Sequence, residues 1–323
     1  MFRAATTLRG LAYDAGLMPQ HALGLPTLSV GNLTVGGTGK TPVSNWLAHE
    51  LMARGATPAI LLRGYGDDES RVHQRLAKGA IVVADANRTR AAHRAASMGA
   101  HVLVLDDGFQ HRRVRRDADV VLVSADAFAS PRWPLPAGPW REPLRALRRA
   151  TMVIVTCKSA SAPDLARTVA AVAGIVGDAR VAVVRLVPGP MVAWEHNVTR
   201  PLQDAVGQSA LAISAIGDPL AFERQLADAG LTITPARYRD HHAFTPADVQ
   251  SLVARMAPSG LAVCTLKDAV KLGPFWPHEA APLWYVSQRV VVDRGADTIA
   301  QTMSALVGAR RPARTSPEPR ATH

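Results

Sequence analysis

The chain has 323 residues, 48% hydrophobic and 20% charged, with a formal net charge of +11 at pH 7. That length exceeds one small core and suits two α/β domains, and no apolar run reaches the ~18 residues a membrane span needs. Cys157 and Cys264 are far apart and belong to no CxxC or Cys/His cluster, which argues against a disulfide framework or a structural zinc.

The positive surplus points to an anionic partner: nucleic acid, phospholipid or a phosphorylated substrate. With no repeat, RNA-binding aromatic motif or zinc finger, charge alone argues for nucleic acid, and no such partner is expected. Met1 to Met18 carries Arg3 and Arg9 but no long apolar stretch or small-residue cleavage site, so a cytoplasmic chain is expected. On a helical projection this segment sets Ala4, Leu8, Leu11, Ala15 and Met18 opposite Arg3 and Asp14, with Phe2 and Arg9 blurring the division. Such a helix either lies in a membrane interface or packs on the first domain.

Next comes the strand "TLSV" (27 to 30), and then "GNLTVGGTGKTP". Gly36, Gly37 and Gly39 are expected to adopt backbone angles closed to other residues, so that consecutive N–H groups turn inward on a phosphate. With Thr38 they form the nucleotide-binding loop. Lys40 supplies the charge for the β and γ phosphates, and the Thr41 hydroxyl is placed to ligate Mg²⁺. Val43, Trp46, Leu47 and Leu51 then share a helical face, with Gly55 as the stop. The pattern G-x-x-x-x-G-K-[ST] fails at its first position, which is Thr34, and a merely tight strand-to-helix turn is the plain alternative.

Further apolar runs follow at 59–62, 81–83, 102–107, 120–124, 152–157 and 180–187, separated by helical stretches. Continuous apolar strands alternating with helices predict a P-loop NTPase-like, doubly wound, mostly parallel sheet. Asp106 and Asp107 end the strand "VLVLDD", where ligands bind in such sheets, and either is a candidate for the second metal ligand. The turn-rich "PGPM" sets a boundary near residue 190. A second, smaller α/β domain spans 191–308, with strands at 211–214 and 261–265, helices around 222–229 and 246–256, a long hinge or edge strand at 283–292 and a closing helix at 297–307. Residues 309–323 form a basic tail expected to be disordered.

The blocks "SVGNLTVGGTGKTP", "RGYG" (63 to 66), "DDGFQHRR" (106 to 113), "LPAGPWREPL" (135 to 144), "GDPLAF" (217 to 222), "DHHAFT" (240 to 245) and "TLKDAVKL" (265 to 272) occur in the order found in a known family. Over about residues 1 to 290 the chain resembles the tetraacyldisaccharide 4′-kinases of lipid A synthesis. The resemblance implies an ATP- and Mg²⁺-dependent kinase phosphorylating a membrane-embedded acylated disaccharide from the cytoplasmic face of the bacterial inner membrane. The anionic bilayer surface is then a partner, and no obligate protein partner is expected.

By the same resemblance, Asp68 in "GDDES", paired with His241 of "DHH", acts on the sugar hydroxyl. A carboxylate held by histidine suits that proton transfer. Asp67 is an alternative to Asp68 in the alignment, and the segment between "RGYG" and the acid is shorter than the resemblance leads us to expect. Helix-entry capping and a metal site are the other readings of "DHH". Arg141, Arg112 and Asn32 are the candidate substrate-binding residues. An internal salt bridge is the alternative for Arg141, and Arg113 shares the ambiguity of Arg112; His111 contacts a ligand or makes a structural hydrogen bond. Leu266 stands where the family's "TEKD" block has an acid. A competing reading is a membrane-associated ATPase switch of the partitioning or metallochaperone type, although those proteins carry a lysine where this chain has Val35.

Overall fold

The computed structural model describes residues 10, 12–64, 67–257 and 260–309, with Asp67 described by its backbone alone. Most of the amphipathic N-terminal segment, Tyr65 and Gly66 of "RGYG", and the tail from residue 310 lie outside the described residues.

The apolar runs form the strands β1 (Thr27–Asn32), β2 (Pro58–Leu62), β3 (Ile81–Ala84), β4 (Val102–Asp106), β5 (Ala118–Ser124), β6 (Met152–Cys157) and β7 (Val181–Ala193). They continue as β8 (Thr199–Arg200), β9 (Ser209–Ser214), β10 (Thr232–Arg237), β11 (Leu261–Thr265) and β12 (Leu283–Arg294). All belong to one sheet, in the order β10-β9-β11-β12-β7-β6-β5-β1-β4-β2-β3, with β8 paired to β7. Every residue of β1, β2, β4 and β6 is buried, as expected of parallel strands covered on both faces. The doubly wound α/β reading therefore holds.

From β3 to β7 neighbouring strands run parallel, and so do β12, β11, β9 and β10, but β7 and β12 are antiparallel. The two parallel sets thus point in opposite directions. Their levels along the β7/β12 ribbon follow from register: Cys157, the end of β6, pairs with Arg185, whereas Thr265, the end of β11, pairs with Val286 opposite Met191. From Arg185 to Met191 is a rise of about 20 Å at the usual ~3.3 Å per residue. The carboxyl ends of the two sets face each other across that gap, with the ribbon as its floor. Residue 190 falls within β7, and the stretch 283–292, read as hinge or edge, is a central strand.

Helices α1 (Lys40–Ala53), α2 (Asp67–Leu76), α3 (Arg88–Ser97), α4 (Ala125–Phe128) and α5 (Ala162–Val176) cover the first set, and α6 (Pro219–Asp228), α7 (Pro246–Ala254) and α8 (Leu266–Leu272) the second. Side-chain caps start several of them: Asn87 accepts from Arg90 N, Ser161 from Asp164 N, and Thr245 forms a capping box with Asp248. Each cap contributes about 1 kcal/mol. On α1, Val43, Leu47 and Leu51 bury against Leu28 and Val30, each side chain contributing about 1.5–3 kcal/mol. The last helix, α9 (Ala296–Gly308), sends Ile299, Met303 and Leu306 into this same core, although its sequence position groups it with the second set. Conversely, Val72 of α2 joins the core of the second set. Two elements therefore cross between the halves, and α2 does so beside the cleft.

Candidate active site

The turn between β1 and α1 has the backbone its glycines anticipate, with one difference. Gly36 and Gly39 take φ of 111° and 87°, but Gly37 does not lie in the left-handed region. What Gly37 supplies is room: a Cβ there would stand 3.4 Å from Lys158 Nζ. Turning N–H groups inward sends carbonyls outward, and β6 captures them. Thr156 Oγ1 donates to the Thr38 carbonyl at 3.0 Å and Lys158 Nζ to the Gly37 carbonyl at 2.8 Å. From inside, Asn32 Nδ2 donates to Thr38 Oγ1 at 2.7 Å. Asn32 is fully buried, so it braces the loop and does not reach a substrate surface.

Lys40 opens α1, its Nζ 3.7 Å from Asp107 Oδ1. Asp107 sits in the left-handed region (φ 55°), which swings its carboxylate out of β4 toward the loop. There Arg141 Nη1 donates to both its oxygens at 2.8 and 3.0 Å, and to Gln110 Oε1 at 3.3 Å. Arg141 thus makes the internal salt bridge, and it makes it at the mouth of the nucleotide loop.

Asp106 lies between the start of α1 and α2. Its Oδ1 accepts from Ser44 Oγ at 3.0 Å, and its Oδ2 lies 3.0 Å from Nε2 of the fully buried His73. Asn45 Nδ2, 2.9 Å from His73 Nδ1, can only donate, so Nδ1 accepts and the ring proton on Nε2 is given to Asp106. Burial works to raise the Asp106 carboxyl, but the His73 hydrogen bond, the neighbouring charge of Lys40 and the Ser44 hydroxyl outweigh it and hold it below the usual carboxylate range. Asn45 also donates to the Thr41 carbonyl at 2.7 Å, tying this network to the first turn of α1.

Asp68 lies in the first turn of α2, after the carboxyl end of β2. His241 follows β10, its N–H donating to the Ala215 carbonyl just beyond β9 at 3.2 Å, with φ at 60° and a side chain 78% exposed. By topology both stand at the cleft, one from each half. Among the described residues no hydrogen bond or ion pair joins them; the His241 ring lies 4.0 Å from Asp240 instead. His242 pairs with Asp248 at 3.2 Å and stacks on Tyr238, and no group of three or more metal-ligating side chains occurs among the described residues. Helix-entry packing therefore accounts for the second histidine.

A sequence profile described as tetraacyldisaccharide-1-P 4′-kinase matches residues 1–80 and 68–307. The chain belongs to the tetraacyldisaccharide 4′-kinase family. A relative of that name from Anaeromyxobacter dehalogenans (strain 2CP-C) is 36% identical over 325 residues, covering 92% of this chain and 86% of its own. Another, from Azoarcus sp. (strain BH72), is 36% identical over 299 residues, covering 87% and 83%. The crystal structure of the "apo" form of LpxK from Aquifex aeolicus in complex with ATP shares the fold, with a TM-score of 0.73 and 22% identity over 95% of this chain and 96% of that one. The two profile segments share residues 68–80, which include Asp68.

Within this kinase fold Arg112 is engaged elsewhere, donating to the Gly10 carbonyl at 2.9 Å and to Asp14 Oδ1 at 2.7 Å. Its guanidinium ties Gly10 and Asp14 to the first half. Sequence reasoning also passed over His73 and Lys158. His73 sits on a charged helix that reads as solvated, and Lys158 lies one residue past the apolar run of β6. Burial pushes the Lys158 ammonium below its usual range, against the pull of Asp126 and Asp218. Lys158 directly follows the carboxyl end of β6, the end that faces the cleft between the halves.

Proposed function

We propose that this chain transfers the γ-phosphate of ATP to the 4′-hydroxyl of tetraacyldisaccharide 1-phosphate, giving the bis-phosphorylated lipid. Membership of the kinase family carries the reading, and the loop from Gly36 to Thr41 at the carboxyl end of β1 supports it. That loop binds the β and γ phosphates through its N–H groups and the N-terminus of α1, with Lys40 set against the γ-phosphate. Thr41, Asp106 and Asp107 offer only hard oxygen donors, as Mg²⁺ prefers, and they fit an ion that takes its remaining ligands from phosphate and water. Bound there, Mg²⁺ would neutralise charge on the transferring phosphoryl group.

Asp68 accepts the proton of the attacking hydroxyl, and His241 approaches from the opposite half to orient it. Arg141, released from Asp107 as phosphate enters, supplies a planar fork to phosphate oxygens. The two halves act as nucleotide and acceptor domains around the β7/β12 ribbon. Because the acceptor is a lipid, the reaction takes place at the cytoplasmic face of the inner membrane, the chain lying on the anionic surface without spanning it. Among the described residues no helix is long and apolar enough to cross a membrane.

Incubation with γ-labelled ATP, Mg²⁺ and the acceptor in detergent micelles tests the reading. Label enters the lipid with the parent protein and not with Lys40→Ala. Asp68→Ala lowers turnover by about 100-fold while leaving ATP affinity unchanged. Label released only as inorganic phosphate, at a rate indifferent to the acceptor, would favour the ATPase switch.

A further inference from the structure

The segment from Ser130 to Pro139 leads into the Arg141 loop, and it presents Trp133 to solvent with 63% of its surface exposed. This indole is held on a braced turn. Trp140 N donates to the Trp133 carbonyl at 3.2 Å, Leu135 N to the Trp140 carbonyl at 2.9 Å and Gly138 N to the Pro134 carbonyl at 3.1 Å. Gly138 packs so closely that a Cβ there would fall 2.5 Å from Trp133 Cβ. Trp140, in contrast, is buried.

The turn is fastened to the nucleotide loop. Val35 N donates to the Pro139 carbonyl and Arg141 N to the Leu33 carbonyl, both at 2.7 Å. Val35 is itself 41% exposed, at the position where the ATPase switches carry lysine. Beside Trp133, the Arg132 guanidinium lies 4.5 Å over the Phe128 ring, and no carboxylate stands within ion-pair distance of it among the described residues. Beneath lies a shallow hollow of about 20 Å³ lined by Leu33, Ala127, Phe128 and Trp140 among others. Single exposed apolar side chains need no explanation. An indole, a valine and an unpaired arginine on one rigid ledge at the mouth of a phosphate loop do.

We propose that this ledge, Arg132, Trp133 and Val35, is a bilayer-docking surface whose occupant is the headgroup layer of an anionic membrane. The inference rests on the lipid-kinase reading, since a buried acyl acceptor requires the site mouth to meet the bilayer. Indole rings settle at the headgroup level, where one end is apolar and the other wet. Arg132, held over an aromatic face, keeps its charge toward anionic lipid. The bracing matters, because a turn whose backbone is already ordered loses little freedom on docking. The ledge sets the depth at which Lys40 and Asp107 meet the lipid-borne hydroxyl.

The test is sedimentation of the full chain with vesicles of phosphatidylglycerol and phosphatidylcholine, without ATP or acceptor. Trp133→Ser lowers the partition coefficient about tenfold, and Arg132→Ser lowers it about fivefold at low salt and less at high salt. Unchanged ATP affinity in both variants shows that they fold. As a second measurement, vesicles with brominated acyl chains quench the parent's tryptophan emission more than that of Trp133→Phe. Vesicle binding that survives Trp133→Ser, equal quenching in parent and Trp133→Phe, or no vesicle binding by the parent overturns the proposal. Failure of phosphate transfer in detergent counts against the kinase reading alone, because this assay needs neither substrate.

Discussion

Replacing His73 by leucine keeps its volume and removes the proton it donates to Asp106. His73 is fully buried between Asn45 at 2.9 Å and Asp106 at 3.0 Å. A hydrogen bond to a charged group is worth about 1.5–3 kcal/mol. The carboxylate left behind keeps the Ser44 hydroxyl, but it loses the contact that offsets its burial, so a total near 3 kcal/mol is expected. For a chain of this size, at about 2.1 cal/mol/K of unfolding entropy per residue, that lowers the melting temperature by about 4–5 °C.

The pH dependence has a definite sign. Asp106 is held below the usual carboxylate range in the folded chain, so its stabilisation is complete above the ordinary carboxylate pKa and is lost as pH falls through the lower folded value. In His73→Leu, burial prevails and raises that carboxyl, so the deficit is greatest at neutral pH and shrinks as the solution is acidified. Thermal unfolding followed by circular dichroism between about pH 4 and 8 measures both effects. In an Asp106→Asn background the same substitution should cost only about 1 kcal/mol. Equal losses in the two backgrounds, or a melting temperature unmoved at neutral pH, would refute the reasoning.

Lys158→Met releases the Gly37 carbonyl while filling similar space, and should weaken ATP binding about tenfold by calorimetry with little change in melting temperature. A drop in stability without a change in affinity would make Lys158 merely structural. Gly39→Ala puts a Cβ 2.3 Å from Leu186 Cδ1 at a φ of 87°, so it should destabilise by about 2 kcal/mol and displace the loop. Denaturant unfolding checks the first effect, and retained ATP affinity would argue against the second.

The parts of this site legible in the sequence are those whose residues are contiguous. Strand, glycine turn, Lys40-Thr41 and helix follow one another, so their geometry is local. The paired acids at the end of β4 are equally plain, because a continuous apolar run announces a buried strand and its end announces the ligand edge. What escaped depends on distant partners. His73 belongs to a polar helix whose burial arises only because Val72 and Leu76 meet the second half while His73 meets the first. The strand β10 was not anticipated because Pro235 interrupts it, a residue tolerated here on the sheet's edge. Nor does any local pattern reveal that β7 and β12 run antiparallel, and it is that pairing which turns two sets of strand ends to face one cleft. Asp68 and His241 came from resemblance; the fold brings them to opposite sides of that cleft without joining them.

The position of the new phosphate tests the central claim most directly. Lipid product made from ATP and the tetraacyldisaccharide 1-phosphate is isolated, and its phosphorus resonances are correlated with the sugar protons. The account predicts two phosphomonoesters, the original at position 1 and a new one coupled to the proton at 4′, with neither gained by Lys40→Ala. A diphosphate at position 1, or an acceptor recovered unchanged while ATP is hydrolysed, would contradict it.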